Sequence, residues 1–96
     1  MDDPYWEIVS EQWPNILRWY QLFADKKPVI LFDIQEQRIY AYPYREFKAD
    51  LSQRSQAQLA KQYRKAAANN QVVVFVRDNV KRKLVSYTVA VEQDPT

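Results

Sequence analysis

The chain contains no glycine among its 96 residues, and it also lacks histidine and cysteine. A phosphate-cradling loop of the P-loop or dinucleotide-binding type needs glycine, because a Cβ atom would block the approach of the backbone to the ligand. Without histidine or cysteine there is no imidazole base, no thiolate nucleophile, no disulfide and no ordinary zinc site. We therefore expect neither a cofactor nor a bound metal.

The composition predicts one folded α+β domain over residues 1–96. Hydrophobic residues make up 47% and aromatic residues 15% of the chain, whereas disordered chains are poor in both. The last residues, 93–96, are expected to fray. No apolar run approaches the ~20 residues of a membrane span, and Met1-Asp2-Asp3 does not resemble the start of a signal peptide. These features favour a cytoplasmic protein without a membrane partner.

The first half of the chain predicts a helix followed by a hairpin. Asp3-Pro4 is a typical helix start, and an apolar stripe that includes Trp13 recurs at helical spacing as far as Phe23. Pro14 lies inside this stripe and is expected to kink the helix. Two strands follow, at 29–34 and 38–42.

The second half predicts the same order of elements. Ser55-Gln56-Ala57-Gln58 has the form of a capping box, so the second helix is expected to begin there. Strands are predicted at 72–76 and 84–92. The predicted fold is therefore α-β-β-α-β-β, with a four-stranded antiparallel sheet packed with two helices. The similar segments 29–32 and 72–75 suggest a degenerate helix-hairpin repeat.

A second apolar stripe on the first helix is the leading candidate for a binding surface. At ~100° per residue, Ile8, Trp19 and Leu22 fall on the side away from the main stripe. A helix with two apolar faces is either enclosed by its own fold or offers a patch to another molecule. The interpretation we favour is a non-catalytic protein-binding or adaptor module, with a protein partner or a second copy of the chain.

Single-stranded nucleic-acid binding is the alternative function. Tyr40 and Tyr42 share one face of a predicted strand and could stack unpaired bases, while Lys81, Arg82 and Lys83 could contact phosphates. The charge distribution fits either an acidic protein or a nucleic acid. Residues 1–50 carry nine acidic and six basic side chains, whereas residues 51–96 carry three acidic and eight basic ones.

Catalysis by carboxylate, tyrosine or lysine chemistry is the third hypothesis, and the sequence supports it least. Asp33 and Glu36 form a candidate carboxylate pair, but both flank a predicted exposed turn where nothing would raise a pKa. No catalytic residue can be assigned from the sequence.

Overall fold

The computed structural model describes residues 3–91, and the predicted frayed tail, 93–96, lies outside the described residues. The elements in chain order are α1 (Pro4–Leu22), a 3-10 turn (Ala24–Lys26), β1 (Pro28–Asp33), β2 (Arg38–Pro43), α2 (Tyr44–Ala49), α3 (Gln53–Ala68), β3 (Gln71–Asp78) and β4 (Lys83–Ala90). Helices and strands are both present, as predicted for an α+β fold. An additional short helix, α2, lies between the two halves of the expected α-β-β-α-β-β order, directly after β2.

The first helix begins at the predicted cap. The Asp3 carboxylate accepts hydrogen bonds from the backbone N–H groups of Tyr5 at 3.1 Å and Trp6 at 3.3 Å, and Pro4 occupies the first helical position, where no N–H is needed. The helix continues through Pro14, which lies on its exposed side. The carbonyl that loses its partner at Pro14 can therefore be hydrated, which lowers the cost of an internal proline.

The sheet is mixed, and the prediction of a purely antiparallel sheet is wrong. Its strand order is β2-β1-β3-β4. Each hairpin is antiparallel, but the two hairpins join through parallel pairing of β1 with β3, in which Ile30 is aligned with Val74 and Asp33 with Arg77. Because β2 ends beside the start of β1, with Pro43 opposite Pro28, the segment that contains α2 and α3 begins and ends at this end of the sheet and carries the chain across β1 to β3. Parallel pairing requires a crossover of this kind.

Two details of this crossover differ from the prediction. The described residues contain three α-helices rather than two, because α2 forms one and a half turns directly after β2. The third helix begins two residues earlier than the predicted start, at Gln53. Its cap is Ser52, whose hydroxyl accepts a hydrogen bond from the N–H of Ser55 at 3.3 Å, so Ser55 lies in the first turn and is not the cap.

The sheet is covered on both faces and separates two apolar cores. On one face Val9, Trp13 and Ile16 of α1 pack against alternate residues of the sheet, including Ile30 and Val74. On the other face Leu59 and Ala66 of α3, together with Phe47 of α2, pack against Val29, Leu31, Val73 and Phe75. The central strands β1 and β3 are therefore buried on both faces, which explains their continuous apolar sequence.

The two helix-hairpin halves are arranged as a pseudo-symmetric pair. The strand order is symmetric about the parallel β1–β3 pair, and α1 and α3 cover opposite faces. Within residues 3–91 four residues have positive φ angles, and they fall at equivalent places. Lys27 and Asn70 precede the first strand of each hairpin, and Gln37 and Arg82 end each hairpin turn. This agreement supports the predicted helix-hairpin repeat.

Candidate functional site

An open groove of about 460 Å³ runs between α1 and the edge strand β2. On the helix it is lined by Gln12, Asn15 and Trp19, followed by Phe23 just beyond the helix end. On the sheet it is lined by the turn and strand residues 37–41 and by the buried ring of Phe32. This groove is called the α1–β2 groove below.

The three residues of the predicted partner-binding stripe differ in their exposure to solvent and in their position along α1. Trp19 is 38% exposed and Leu22 is 66% exposed, the two most exposed large apolar side chains of α1. The Trp19 ring stacks on Phe23 with centroids 5.8 Å apart and an interplanar angle of 11°. Ile8 is half-buried near the other end of the helix. Gln12 and Asn15 lie between Ile8 and Trp19 on this side and are joined by a hydrogen bond of 3.2 Å, so the stripe is interrupted.

The other half of the molecule contains a groove of equivalent position but different chemistry. It lies between α3 and the opposite edge strand β4, has a volume of about 480 Å³, and is lined on the helix by Gln58, Lys61, Gln62 and Lys65. Gln58, Lys61 and Lys65 have the same i, i+3, i+7 spacing as the three groove-lining residues of α1. Lys65 therefore stands at the position that corresponds to Trp19. The same place in the fold is aromatic in one half and cationic in the other.

The tyrosines of the predicted base-stacking surface are largely covered. Tyr40 and Tyr42 stack on each other with centroids 5.7 Å apart, and Phe47 of α2 lies 5.8 Å from the ring of Tyr42. The hydroxyl of Tyr40 donates a hydrogen bond to the Glu36 carboxylate at 3.2 Å. A carboxylate beside the ring repels phosphate groups. Burial and this hydrogen bond raise the pKa of Tyr40, so its hydroxyl stays protonated at neutral pH.

The basic residues of the same predicted surface lie at the opposite edge of the sheet. Lys81, Arg82 and Lys83 are all exposed and belong to the turn and the first residue of β4. Tyr40 and Tyr42 lie on β2, which is separated from β4 by the two central strands. At ~4.8 Å per strand, the two groups are about 14 Å apart across the sheet. The structure does not bring them into one contiguous surface.

The prediction that Asp33 lies at an exposed turn is wrong. Its side chain is fully buried rather than exposed at a turn. Its carboxylate accepts hydrogen bonds from Arg77 Nε at 2.6 Å, from the backbone N–H of Glu36 at 2.9 Å and from Asn79 Nδ2 at 3.2 Å. Burial by itself raises the pKa of Asp33, but these three donors outweigh it, so the pKa is lowered. The group is a fixed carboxylate without the raised pKa of a general acid.

The parallel pairing of the central strands joins the two hairpin turns at this end of the sheet. Gln35 of the first turn donates to the Asp78 carboxylate at 2.9 Å and accepts from the backbone N–H of Asn79 at 2.8 Å. Asp78 also accepts from Tyr5 Oη at 2.9 Å. Hydrogen bonds, first among them the one from the Lys81 N–H, lower the pKa of Asp78. Both buried carboxylates, Asp33 and Asp78, therefore have hydrogen-bond partners within the fold.

One signal in the sequence could have indicated this network. Asp33 and Asp78 each end the first strand of a hairpin, and each accepts a backbone N–H three residues later in the turn. Aspartate in this place is typical of Asx turns. Their contact across the two hairpins could not be inferred, because it depends on the strand order.

Comparisons with known proteins do not identify a family for this chain. No family model matches it, and neither the curated proteins nor the solved structures contain a match. Within residues 3–91, no helix combines the length and apolar character required to cross a membrane. The same part of the chain contains no group of three or more acidic, histidine or cysteine side chains that could hold a metal ion.

Proposed function

We propose that this protein is a non-catalytic protein-binding module and that the α1–β2 groove is its docking surface. The observation that carries the proposal is the contrast between the two equivalent grooves. Lysine and glutamine line the groove beside α3, so the fold does not require aromatic side chains at this position. The aromatic side chains of the α1–β2 groove, Trp19 and Phe23, are therefore better explained by binding than by folding.

The chemistry of this surface resembles the centre of a protein interface. Trp19 exposes more than a third of its surface and stacks on Phe23, whereas Leu22 is exposed but does not line the groove. Tryptophan is enriched among residues that dominate binding energy. The charged residues of the exposed side of α1, including Glu7, Glu11 and Arg18, lie away from the groove. Interface centres are depleted of charge and surrounded by a polar rim, and among residues 3–91 Arg38 is the one charged side chain that lines this groove.

The proposed partner is a protein that inserts an apolar side chain next to Trp19. Truncation of a central tryptophan anchor typically costs ~2 kcal/mol or more of binding energy, which is a loss of about thirtyfold in affinity. The basic second half of the chain would favour the approach of an acidic partner and raise the association rate. Such an effect weakens as ionic strength rises.

The substitution Trp19→Lys tests the proposal, because lysine already occupies the equivalent position in α3. We expect the variant to retain the melting temperature of the wild type and to lose partner binding. A partner captured by the wild type is identified and purified, and its affinity for both proteins is measured by calorimetry. Light scattering on the free proteins shows whether the partner is a second copy of the chain.

Lys65→Gln is the matched control, since it changes the equivalent residue of the other groove. It should bind the partner as the wild type does. Equal affinity of Trp19→Lys and wild type would refute the proposed docking surface. A large fall in the melting temperature of Trp19→Lys would show instead that the ring is needed for folding.

A further inference from the structure

A small slot opens at the amino ends of the two central strands, between the last turn of α1 and the side of α3. Its volume is about 180 Å³, and its apolar walls come mainly from Tyr20, Pro28, Tyr63, Ala66 and Val73. An apolar cavity of ~150 Å³ accommodates a benzene ring. The slot is therefore large enough for a single aromatic ring or a short aliphatic body.

A second cavity of about 350 Å³ adjoins the slot and is strongly cationic. The two cavities share Lys27 and Tyr63, and the second adds Lys26 and Arg45. Among residues 3–91, no carboxylate lines either cavity. In the part of the chain that the structure describes, the ion pairs within 4.0 Å involve Arg77 and none of these three cations. Three like charges around one cavity favour the binding of an anion.

The shared wall between the two cavities is held in place by specific contacts. The Tyr63 hydroxyl donates a hydrogen bond of 2.9 Å to the backbone carbonyl of Lys27. The Tyr63 ring stacks on Tyr44 with centroids 4.0 Å apart and an interplanar angle of 20°. Burial raises the pKa of Tyr63, so the hydroxyl remains a donor at neutral pH. The junction of slot and cationic cavity is thus positioned before any ligand arrives.

Gln71 provides an independent sign that a polar group is missing from this region. It lines both the slot and the groove beside α3, and among residues 3–91 its side-chain oxygen Oε1 is buried without a hydrogen-bond partner. Buried acceptors are normally paired, because leaving one without a donor is unfavourable. A ligand that carries a hydroxyl or amine into the slot would supply the donor.

We propose that the slot and the adjoining cationic cavity form a binding site for a small organic acid. The ring or short apolar body of the ligand occupies the slot with a hydroxyl or amine near Gln71. Its carboxylate or phosphate lies among Lys26, Lys27 and Arg45. This site is distinct from the α1–β2 groove and does not depend on the function proposed for that groove.

Titration of the full chain with a set of matched probes, followed by NMR or calorimetry, tests this proposal. We expect 4-hydroxybenzoate to bind at millimolar concentrations or below, and both phenol and acetate to bind at least tenfold more weakly. Equal binding of phenol and 4-hydroxybenzoate would overturn the role of the cations. If neither 4-hydroxybenzoate nor phenyl phosphate binds, the site as a whole is overturned.

Two variants separate this site from a general attraction of anions to a basic surface. Lys27→Asn removes one cation, and asparagine tolerates the left-handed backbone at this position (φ 50°). This substitution should weaken the binding of 4-hydroxybenzoate about tenfold. Lys81→Asn removes the same charge from the exposed β3–β4 turn at the opposite end of the sheet and should have no effect. Equal effects of the two substitutions would refute the site. Gln71→Leu should abolish any preference for 4-hydroxybenzoate over benzoate, and a preference that persists would contradict the role given to Gln71.

Discussion

Replacement of the left-handed turn residues by glycine should stabilise this glycine-free protein. Gln37 and Arg82 have φ angles of 51° and 53°, and both side chains are exposed at the ends of the two hairpin turns. For a residue with a Cβ atom, the left-handed conformation costs ~1–2 kcal/mol. Glycine avoids this cost but loses ~0.5–1 kcal/mol more conformational entropy on folding. The expected net gain is about 0.5–1 kcal/mol at each position.

Thermal unfolding followed by circular dichroism measures this gain. For a domain of this size, 1 kcal/mol corresponds to ~4–8 °C in melting temperature, so each substitution should raise it by about 2–8 °C. Gln35 and Asp78 join the two hairpin turns, so the difference between the double variant and the sum of Gln37→Gly and Arg82→Gly measures the coupling between the turns.

Two controls distinguish the left-handed backbone from a general effect of glycine. Asn70 also has a positive φ, of 52°, but asparagine tolerates this region better than glutamine or arginine, so Asn70→Gly should gain less. Val80 is exposed in the same turn as Arg82 and is not among the positive-φ residues, so Val80→Gly should destabilise the protein. A fall in melting temperature for both Gln37→Gly and Arg82→Gly would refute the reasoning, as would a gain for Val80→Gly.

Two further predictions concern the buried residues. Trp13 is 4% exposed in the α1 core, so Trp13→Ala should lose ~3–5 kcal/mol in denaturant unfolding, and a loss below about 1 kcal/mol would show that α1 contributes little to the core. The pKa of Asp33 is lowered in the folded state, so its contribution to stability is present above the carboxyl pKa of the unfolded chain and is lost as the pH falls through the folded value. Asp33→Asn should therefore lower stability at pH 7, by about 2 kcal/mol, and flatten the decline of stability below about pH 4; an unchanged acid profile would contradict this role.

The secondary structure could be predicted because its signals are local. Asp3 and Pro4 mark the start of α1, and helical spacing places Val9, Trp13 and Ile16 in the core, as observed. The apolar segments of the four strands and the polar turns between them are equally local patterns. The start of α3 was misplaced because both Ser52 and Ser55 are chemically able to cap a helix.

The exposed position of Trp19 and Leu22 follows from the same helical periodicity, but the shape of the candidate surface does not. Helical spacing places Ile8 on the same line as Trp19, yet Ile8 does not line the groove formed with β2, whereas Gln12 and Asn15 do. The contrast with Lys65 in the other groove depends on how the sheet pairs the two halves. Helical periodicity indicates which residues share one side of α1, whereas the neighbouring strand β2 determines which of them line a groove.

By itself the sequence determined the kinds of elements, their order and the apolar faces of α1, because these depend on backbone geometry and on neighbours a few residues apart. The tertiary structure alone decided that β1 and β3 run in parallel, since that choice depends on how an entire crossover packs against the sheet. The burial of Asp33 beside Arg77, 44 residues away, is a consequence of the same choice. A carboxylate that looks exposed in its own turn became buried because a second hairpin covers it.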